Sequence, residues 1–212
     1  MTDICINIIT RTNKRPIFFD MNHKSIEKQT YKNWKHIISY HNDITYNYLK
    51  LYNNITTVKV DQLDRKNYNH FPYNLYCNIL YQFVTEGLIM FLDDDDILVN
   101  DTALETIVNN YKNNNLIVWK SLISNTTIPS NKYFGKKLGL AVSSICFSFH
   151  SNYIKYAKWD EFKGSDGRVA RNLEKHLKNI IWIPEILTKI NYDTNLGIGN
   201  CEGGGYSIDK KL

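Results

Sequence analysis

The sequence predicts an α/β domain built on a central, mostly parallel sheet. Three observations carry that expectation. The length of 212 residues suits one such domain and is marginal for two. Leu88-Ile89-Met90-Phe91-Leu92 is a continuous apolar run of the kind buried on both faces of a parallel sheet. Through the first half, short β-branched runs alternate with helical patterns, the order that right-handed crossovers produce.

The elements follow in order. Ile4 to Ile9 reads as a buried strand, because it is short and isoleucine-rich, and it runs into a polar loop, Thr10 to Arg15, closed by Pro16. Phe18 to Gln29 spaces Phe18, Phe19, Met21 and Ile26 as a helix would. Trp34 to Tyr40 is expected as a second strand, with Asn42-Asp43 as its turn. Ile44 to Tyr52 follows as a helix and Ile55 to Val60 as a third strand. From Tyr73 to Thr85, Leu75, Ile79, Leu80, Phe83 and Val84 recur at helical spacing, and Gly87 suits the end of that helix. The buried run Leu88 to Leu92 comes next. Leu104 to Tyr111 reads as a helix capped by Asp101 or Thr102. Leu116 to Leu122 reads as a strand, Thr126 to Leu138 as an irregular excursion around Pro129, and Val142 to His150 as another strand. Tyr153 to Tyr156 and Val169 to Leu177 are expected as helices, and Ile180 to Ile183 as a short strand stopped by Pro184. Gly197, Gly199, Gly203, Gly204 and Gly205 crowd the tail, residues 191–212, which reads either as a lid or as a linker to a further C-terminal domain.

Composition bounds the function. Hydrophobic residues at 43% and charged residues at 22% exclude wholesale disorder. The mean hydropathy is −0.39, and no apolar run reaches the roughly 20 residues a membrane span needs. Ile4 to Ile9 is too short and polar for a signal peptide. The cysteines, Cys5, Cys77, Cys146 and Cys201, form no CxxC pair, which argues against a zinc knuckle. The first three sit in apolar contexts and read as small buried hydrophobes of a reducing, cytoplasmic compartment. A net charge of +5 fits an anionic ligand or a plain lysine-rich surface, and is no nucleic-acid signature. The dominance of Asn, Ile, Lys and Tyr reflects A/T-rich codons, a bias that points to a source such as a large DNA virus or an A/T-rich microbe; a viral chain would work in the host cytoplasm.

The sharpest feature is Asp93-Asp94-Asp95-Asp96, directly after the buried run. Four adjacent carboxylates repel one another. Ligands of α/β sheets bind at the carboxyl ends of the strands. Carboxylates placed there can hold a hard divalent cation, and the cation a diphosphate. A solvated acidic turn that caps a helix is the plainer alternative.

The run YNLYCNILYQFVTEGLIMFLDDDDIL resembles the signature stretch of GT-A glycosyltransferases of the family 2 type. There an asparagine-bearing helix, a small residue, a hydrophobic strand and a D-x-D-D motif follow in this order. INIITRTNKRP resembles the family's first strand and nucleotide-binding loop, and SIEKQTYKNWKHIISYHND its next helix and second strand. WDEFKGSDGRVARNLEKHLKNIIWIPEIL resembles its acceptor-side region. The resemblance spans roughly residues 4–190 and implies a GT-A (Rossmann-like) α/β/α sandwich with a central mostly parallel sheet. It implies a single catalytic domain, with residues 1–98 as the nucleotide-sugar-binding half and 99–190 as the acceptor-binding half. The implied activity is metal-dependent transfer of a sugar, with inversion, from a nucleotide-diphosphate donor to the hydroxyl of a glycan or glycoprotein acceptor. A UDP-sugar is the family's habit. The implied donor-binding residues are Thr10, Arg11, Arg15, Asp43, Asn78, Asp93 and Asp94; Asp43 would touch the base. Asp95 and Asp96 would hold Mn²⁺ or Mg²⁺, and Asp166 would be the catalytic base. Cys77 stands where the family usually has arginine, and Tyr40-His41-Asn42 replaces its usual acidic pair.

The same chemistry follows from the reaction itself. A departing diphosphate gains negative charge, which a cation stabilises. An acceptor hydroxyl is a weak nucleophile, so a carboxylate must take its proton. The two reactants must also be held in line. Each residue has a plainer role as well. Gly164-Ser165-Asp166-Gly167 suits a turn or a helix cap, and Asp160 or Glu161 could replace Asp166 as base. Arg11, Arg15, Arg168 and Arg171 could be surface charges or phosphate contacts. Trp119, Tyr133, Phe134 and Trp159 could stack on sugars or fill the core. Two other functions fit the acidic run: a two-metal phosphohydrolase, although the six histidines form no HxH or HxxxH pair, and a nucleotide-sugar- or glycan-binding module that has lost catalysis.

Overall fold

A computed structural model describes residues 3–136, 138 and 142–190. The tail predicted as lid or linker lies outside the described residues. In chain order the elements are β1 (Ile6–Arg11), α1 (Pro16–Glu27), β2 (Trp34–Tyr40), α2 (Asp43–Leu49), β3 (Ile55–Lys59), α3 (Leu75–Leu80), β4 (Leu88–Phe91), β5 (Asp96–Leu98), α4 (Ala103–Asn110), β6 (Asn115–Ile123), β7 (Thr126–Ile128), β8 (Phe147–His150), α5 (Ser165–His176) and β9 (Asn179–Ile190). They build one sheet in the order β3-β2-β1-β4-β8-β6-β9-β5, with β7 paired to β6. β3, β2, β1 and β4 are parallel neighbours, and β6 runs parallel to β9. β8, β5 and β7 run the other way. The expected α/β fold with a mostly parallel sheet is therefore present.

The register of β1 against β4 positions the site. Ile6 pairs with Leu88 and Ile9 with Phe91, and the Leu92 N–H donates to the Ile9 carbonyl at 3.0 Å. β1 thus runs two residues past the end of β4, with Thr10 and Arg11 beside the four aspartates. Pro16 opens α1 at a position whose N–H would have no helical partner anyway. Asn42 caps α2, its side chain accepting from the Thr45 N–H at 2.9 Å. Gly87 makes the turn into β4 at φ +145°, where a Cβ would lie 2.1 Å from the Cys5 carbonyl oxygen.

Several expectations are corrected. β1 starts and ends two residues later than predicted, so Thr10 and Arg11 belong to the strand and not to the loop. The helix expected over 73–85 breaks into a short α3 flanked by single 3₁₀ turns, and Gly87 is not its cap. The strand expected over 142–150 shrinks to Phe147–His150, with Ser144–Cys146 coiled into a tight turn. Tyr153 to Tyr156 falls in a 3₁₀ segment, Ser151–Tyr156. β9 does not stop at Pro184. Its partners jump from Trp119↔Ile183 to Lys120↔Ile186, so Pro184 falls in a bulge where its missing N–H breaks no ladder bond.

Trp119 is fully buried, with its Nε1 donating to Thr188 Oγ1 at 2.9 Å, so it is core and cannot stack on a sugar. Phe134 packs edge-on against Trp182. Cys77 and Cys146 are buried as expected, while Cys5 is partly exposed; all three are free thiols.

A buried polar chain crosses this core. The Thr10 hydroxyl donates to the Leu92 carbonyl at 2.6 Å, so its oxygen must accept from His36 Nε2 at 2.8 Å. His36 Nδ1 is then the acceptor, and His23 Nδ1, 3.0 Å away, the donor. Burial holds His23 below the usual histidine range and His36 well below it. Unfolded histidines take protons near pH 6.5, so below that the unfolded chain binds more protons than the native one. The histidine pair's contribution to stability is therefore full above about pH 7 and falls as the pH drops toward 5. His36→Gln, whose amide can still donate to Thr10, removes most of that contribution, so urea unfolding from about pH 7 to pH 5 should show a smaller loss of stability in the variant than in wild type.

Candidate functional site

The four aspartates form a tight turn off β4. The Asp96 N–H donates to the Asp93 carbonyl at 2.8 Å, and the Asp93 N–H to Asp96 Oδ2 at 2.9 Å. Asn22 on α1 pins this turn from beneath. Its fully buried Nδ2 donates to the carbonyls of Leu92 (3.3 Å), Asp93 (2.9 Å) and Asp96 (2.8 Å). Three acceptors share two hydrogens, so the amide is locked in place.

Two arginines meet the charge. Arg11 grips Asp93 with both arms of its fork, Nε to Oδ1 at 2.8 Å and Nη2 to Oδ2. Its third arm donates to Asn74 Oδ1 at 2.8 Å. Arg15 bridges two carboxylates, Nη1 to Asp94 Oδ1 at 2.7 Å and Nη2 to Asp95 Oδ2 at 3.0 Å. Asp94 also accepts from the Thr12 hydroxyl at 2.8 Å. Burial pushes Asp94 up to about 7 against the pull of Arg15. Burial also pushes Asp96 well up, reinforced by Asp95 and Asp93. Burial thus works against full ionisation of the four carboxyl groups.

A cleft of about 380 Å³ opens over the turn. Arg11, Asp93, Asp95 and Asp96 line one wall; Ser143, Ser144, Trp159 and the segment Lys163 to Asp166 line the other. Asp166 sits in the first turn of α5, behind Gly164 at φ +75°. Burial raises its carboxyl above the ordinary value, opposed by the Gly167 and Ser144 amides and by Arg11 and Arg168. Asp160 is different. Arg168 holds it through two 2.6 Å bonds and lowers it below the ordinary carboxylate range.

The structure thus brings Arg11, Asp93, Asp95, Asp96 and Asp166 to one cavity, with Arg15 and Asp94 behind Asp95. Thr10 is fully buried and serves the Leu92 carbonyl. Asn78 clasps the Trp159 backbone, donating to its carbonyl at 2.8 Å and accepting from its N–H at 2.9 Å. The Asp43 carboxylate is exposed, 3.7 Å from Lys59. These three are not among the cleft's lining residues. Sequence reasoning missed Asn22 and Asn74. Asn22 carried a signal, a polar residue on the apolar stripe of Phe18, Phe19 and Ile26; Asn74, in an irregular segment, carried none.

Among the described residues no three His, Cys, Asp or Glu side chains converge as a ready cation site. The donors along the cleft are nonetheless carboxylate oxygens, the chemistry that Mn²⁺ and Mg²⁺ take, and such ions complete their shell with phosphate oxygens. The residues present fit that group through Asp95, one of whose oxygens Arg15 holds.

The fold is that of GT-A glycosyltransferases. No protein-family profile and no curated protein matches the chain. Among solved structures it superposes on S. aureus TarS with a TM-score of 0.70 at 12% identity, covering 88% of this chain and 36% of that one. A TarS 1–349 structure in complex with UDP-GlcNAc gives a TM-score of 0.70 at 13% identity, covering 88% and 58%. A mannosyltransferase from Pyrobaculum calidifontis, in complex with GDP-Man and Mn²⁺, gives 0.65 at 11%, covering 87% and 56%. The chain thus spans less than two thirds of each neighbour. Their sources lend no support to a viral origin.

Replacing Asn22 by leucine should remove three buried hydrogen bonds while keeping the number of side-chain heavy atoms and their branching. The expected loss is about 2–4 kcal/mol of unfolding free energy, read by urea denaturation.

Proposed function

We propose that this chain is the catalytic domain of a metal-dependent glycosyltransferase, moving a sugar of the hexosyl type from a nucleotide-diphosphate donor to an acceptor hydroxyl with inversion. The observation that carries this reading is the convergence of Arg11, Asp93, Asp95 and Asp166 on one cleft. Neighbours solved with UDP-GlcNAc and with GDP-Man and Mn²⁺ support it. A UDP-sugar is the first donor to try, and a glycan or glycoprotein the expected acceptor. A cytoplasmic setting is part of this reading, and the three free thiols suit a reducing compartment.

The wall at β4 is the donor side. Asp93 is fixed by Arg11 and faces the cleft, where it suits a ribose hydroxyl or a phosphate-bound ion. Asp95, with Asp96 beside it, is the candidate ligand of Mn²⁺ or Mg²⁺. Bound there with the diphosphate, such an ion would neutralise the charge that builds on the leaving group. The wall at α5 is the acceptor side. A half-buried carboxylate with raised proton affinity is suited to take the hydroxyl proton, and Asp166 has that environment while Asp160 is locked to Arg168. Attack from that wall on a donor held at the other is a single displacement, which inverts the anomeric carbon. Phe71, Tyr73 and Trp159 give the cleft apolar flanks against which a sugar ring packs.

The test is transfer and donor hydrolysis with Mn²⁺ across UDP- and GDP-sugars. Asp166→Asn and Asp95→Asn should each lower kcat by about 10²–10⁴. Full transfer by both variants would overturn the assignment. Phosphate release from phosphoesters without any sugar donor would instead favour a phosphohydrolase. A second measurement addresses the base alone. A base works deprotonated, so kcat/KM should rise with pH through a limb above the ordinary carboxylate range, because burial raises Asp166. Asp166→Asn should abolish that limb.

A further inference from the structure

Arg15 is placed unequally between its two partners. One arm reaches Asp94, whose side chain is 3% exposed and is held independently by the Thr12 hydroxyl. The other reaches Asp95, 23% exposed and part of the cleft lining. Phe18 lies under the guanidinium, 4.6 Å from ring centroid to Cζ, and limits where it can move. The Asp94 end is an anchor, and the Asp95 end is a contact that a ligand in the cleft can replace. Asp95 is also the carboxylate proposed for the cation. A divalent cation on Asp95 would lie beside the guanidinium that holds one of its oxygens, and two cations repel unless an anion arrives between them.

We propose that Arg15 is a tethered counter-cation that occupies Asp95 until a nucleoside diphosphate arrives. Its Nη2 then exchanges the Asp95 carboxylate for a phosphate oxygen, while its Nη1 stays on Asp94. No bond is made or broken in this exchange; hydrogen-bond partners change. The inference rests on the glycosyltransferase reading and deepens it. It implies weak binding of the metal alone and strong mutual coupling of metal and diphosphate, equal in both directions. Lysine at this position would keep a charge for Asp94 but lacks the fork to reach Asp95 as well.

Binding is followed without turnover, by Mn²⁺ electron paramagnetic resonance and calorimetry, with Mn²⁺ alone, UDP or GDP alone, and both together. Wild type should bind Mn²⁺ about tenfold more tightly when the nucleotide is present. Arg15→Lys should bind Mn²⁺ alone about tenfold more tightly than wild type and lose most of that coupling. Unchanged Mn²⁺ affinity and coupling in Arg15→Lys would overturn the Arg15 role and leave the glycosyltransferase reading standing. No nucleotide binding by wild type, with or without Mn²⁺, would overturn both. Should Arg15→Lys not fold, wild type decides by NMR. The Arg15 side-chain N–H signals should shift with Mg²⁺ plus UDP or GDP and hold still with Mg²⁺ alone. Signals that move equally in both cases would overturn the exchange.

Discussion

Four successive carboxyl groups at the end of a buried strand set the terms for everything around them. Buried charges must be paired or neutralised, and here both happen. Arg11 and Arg15 take Asp93, Asp94 and Asp95, while burial favours the protonated form of Asp96. Both arginines come from the one segment that can reach, the end of β1 and the start of α1. That requires β1 to lie directly beside β4 and to run just past its end, which the pairing of Ile9 with Phe91 achieves by leaving Thr10 and Arg11 beside the turn. It also requires α1 to return over the strand ends, so that Asn22 can hold the turn's carbonyls. The sheet order on this side is thus tied to the electrostatics of four residues.

The same requirement joins the two walls of the cleft. Arg11 spends its third arm on Asn74, and Asn74 donates onward to the Phe162 carbonyl at 3.3 Å. Phe71 and Glu161 are bonded through their backbones at 2.6 Å, Asn69 and Lys163 at 3.0 Å. Asn78 clasps both backbone groups of Trp159, whose ring packs edge-on against Phe91 in β4. The loop that leads into Gly164 and α5 is therefore stitched to the segment 69–78, which Arg11 joins to the aspartate turn, by three side-chain amide bonds and two backbone bonds. Asp166 is set relative to Asp93 through this stitching, although 73 positions separate them in the chain.

What was legible in the sequence depended on how local the cause was. β4 and the aspartate turn were readable because a continuous apolar run and a charge cluster are each visible without knowing their neighbours. The first three strands and α1 followed from residue pattern, β2 to the residue, β3 to within one, and β1 and α1 shifted by two. β9 was cut short because proline reads as a stop until the bulge opposite Lys120 is known. The helix over 73–85 was read as continuous because its apolar spacing is helical, yet the chain bends to deliver Asn74 to Arg11 and Asn78 to Trp159. Trp119 read equally as a sugar platform or as core and is core, since nothing local says which face of β6 is covered. Such errors have one origin: the partner that decides each case lies far along the chain.

Asp160 and Asp166 show how the fold resolves what composition leaves open. Both are aspartates near the start of α5, and either could be a base on sequence grounds. Gly164, at a positive φ that other residues rarely adopt, turns the chain between them. The turn places Asp160 beside Arg168, one helical turn into α5, where a bidentate pair fixes it as an anion. It places Asp166 against the cleft wall, where burial works against its charge and the opposing amides and arginines do not fully restore it. Two like residues six positions apart thus acquire opposite proton affinities. The weaker acid is the one that faces Arg11 and Asp93 across the cleft, the side on which the proposed transfer requires a proton acceptor.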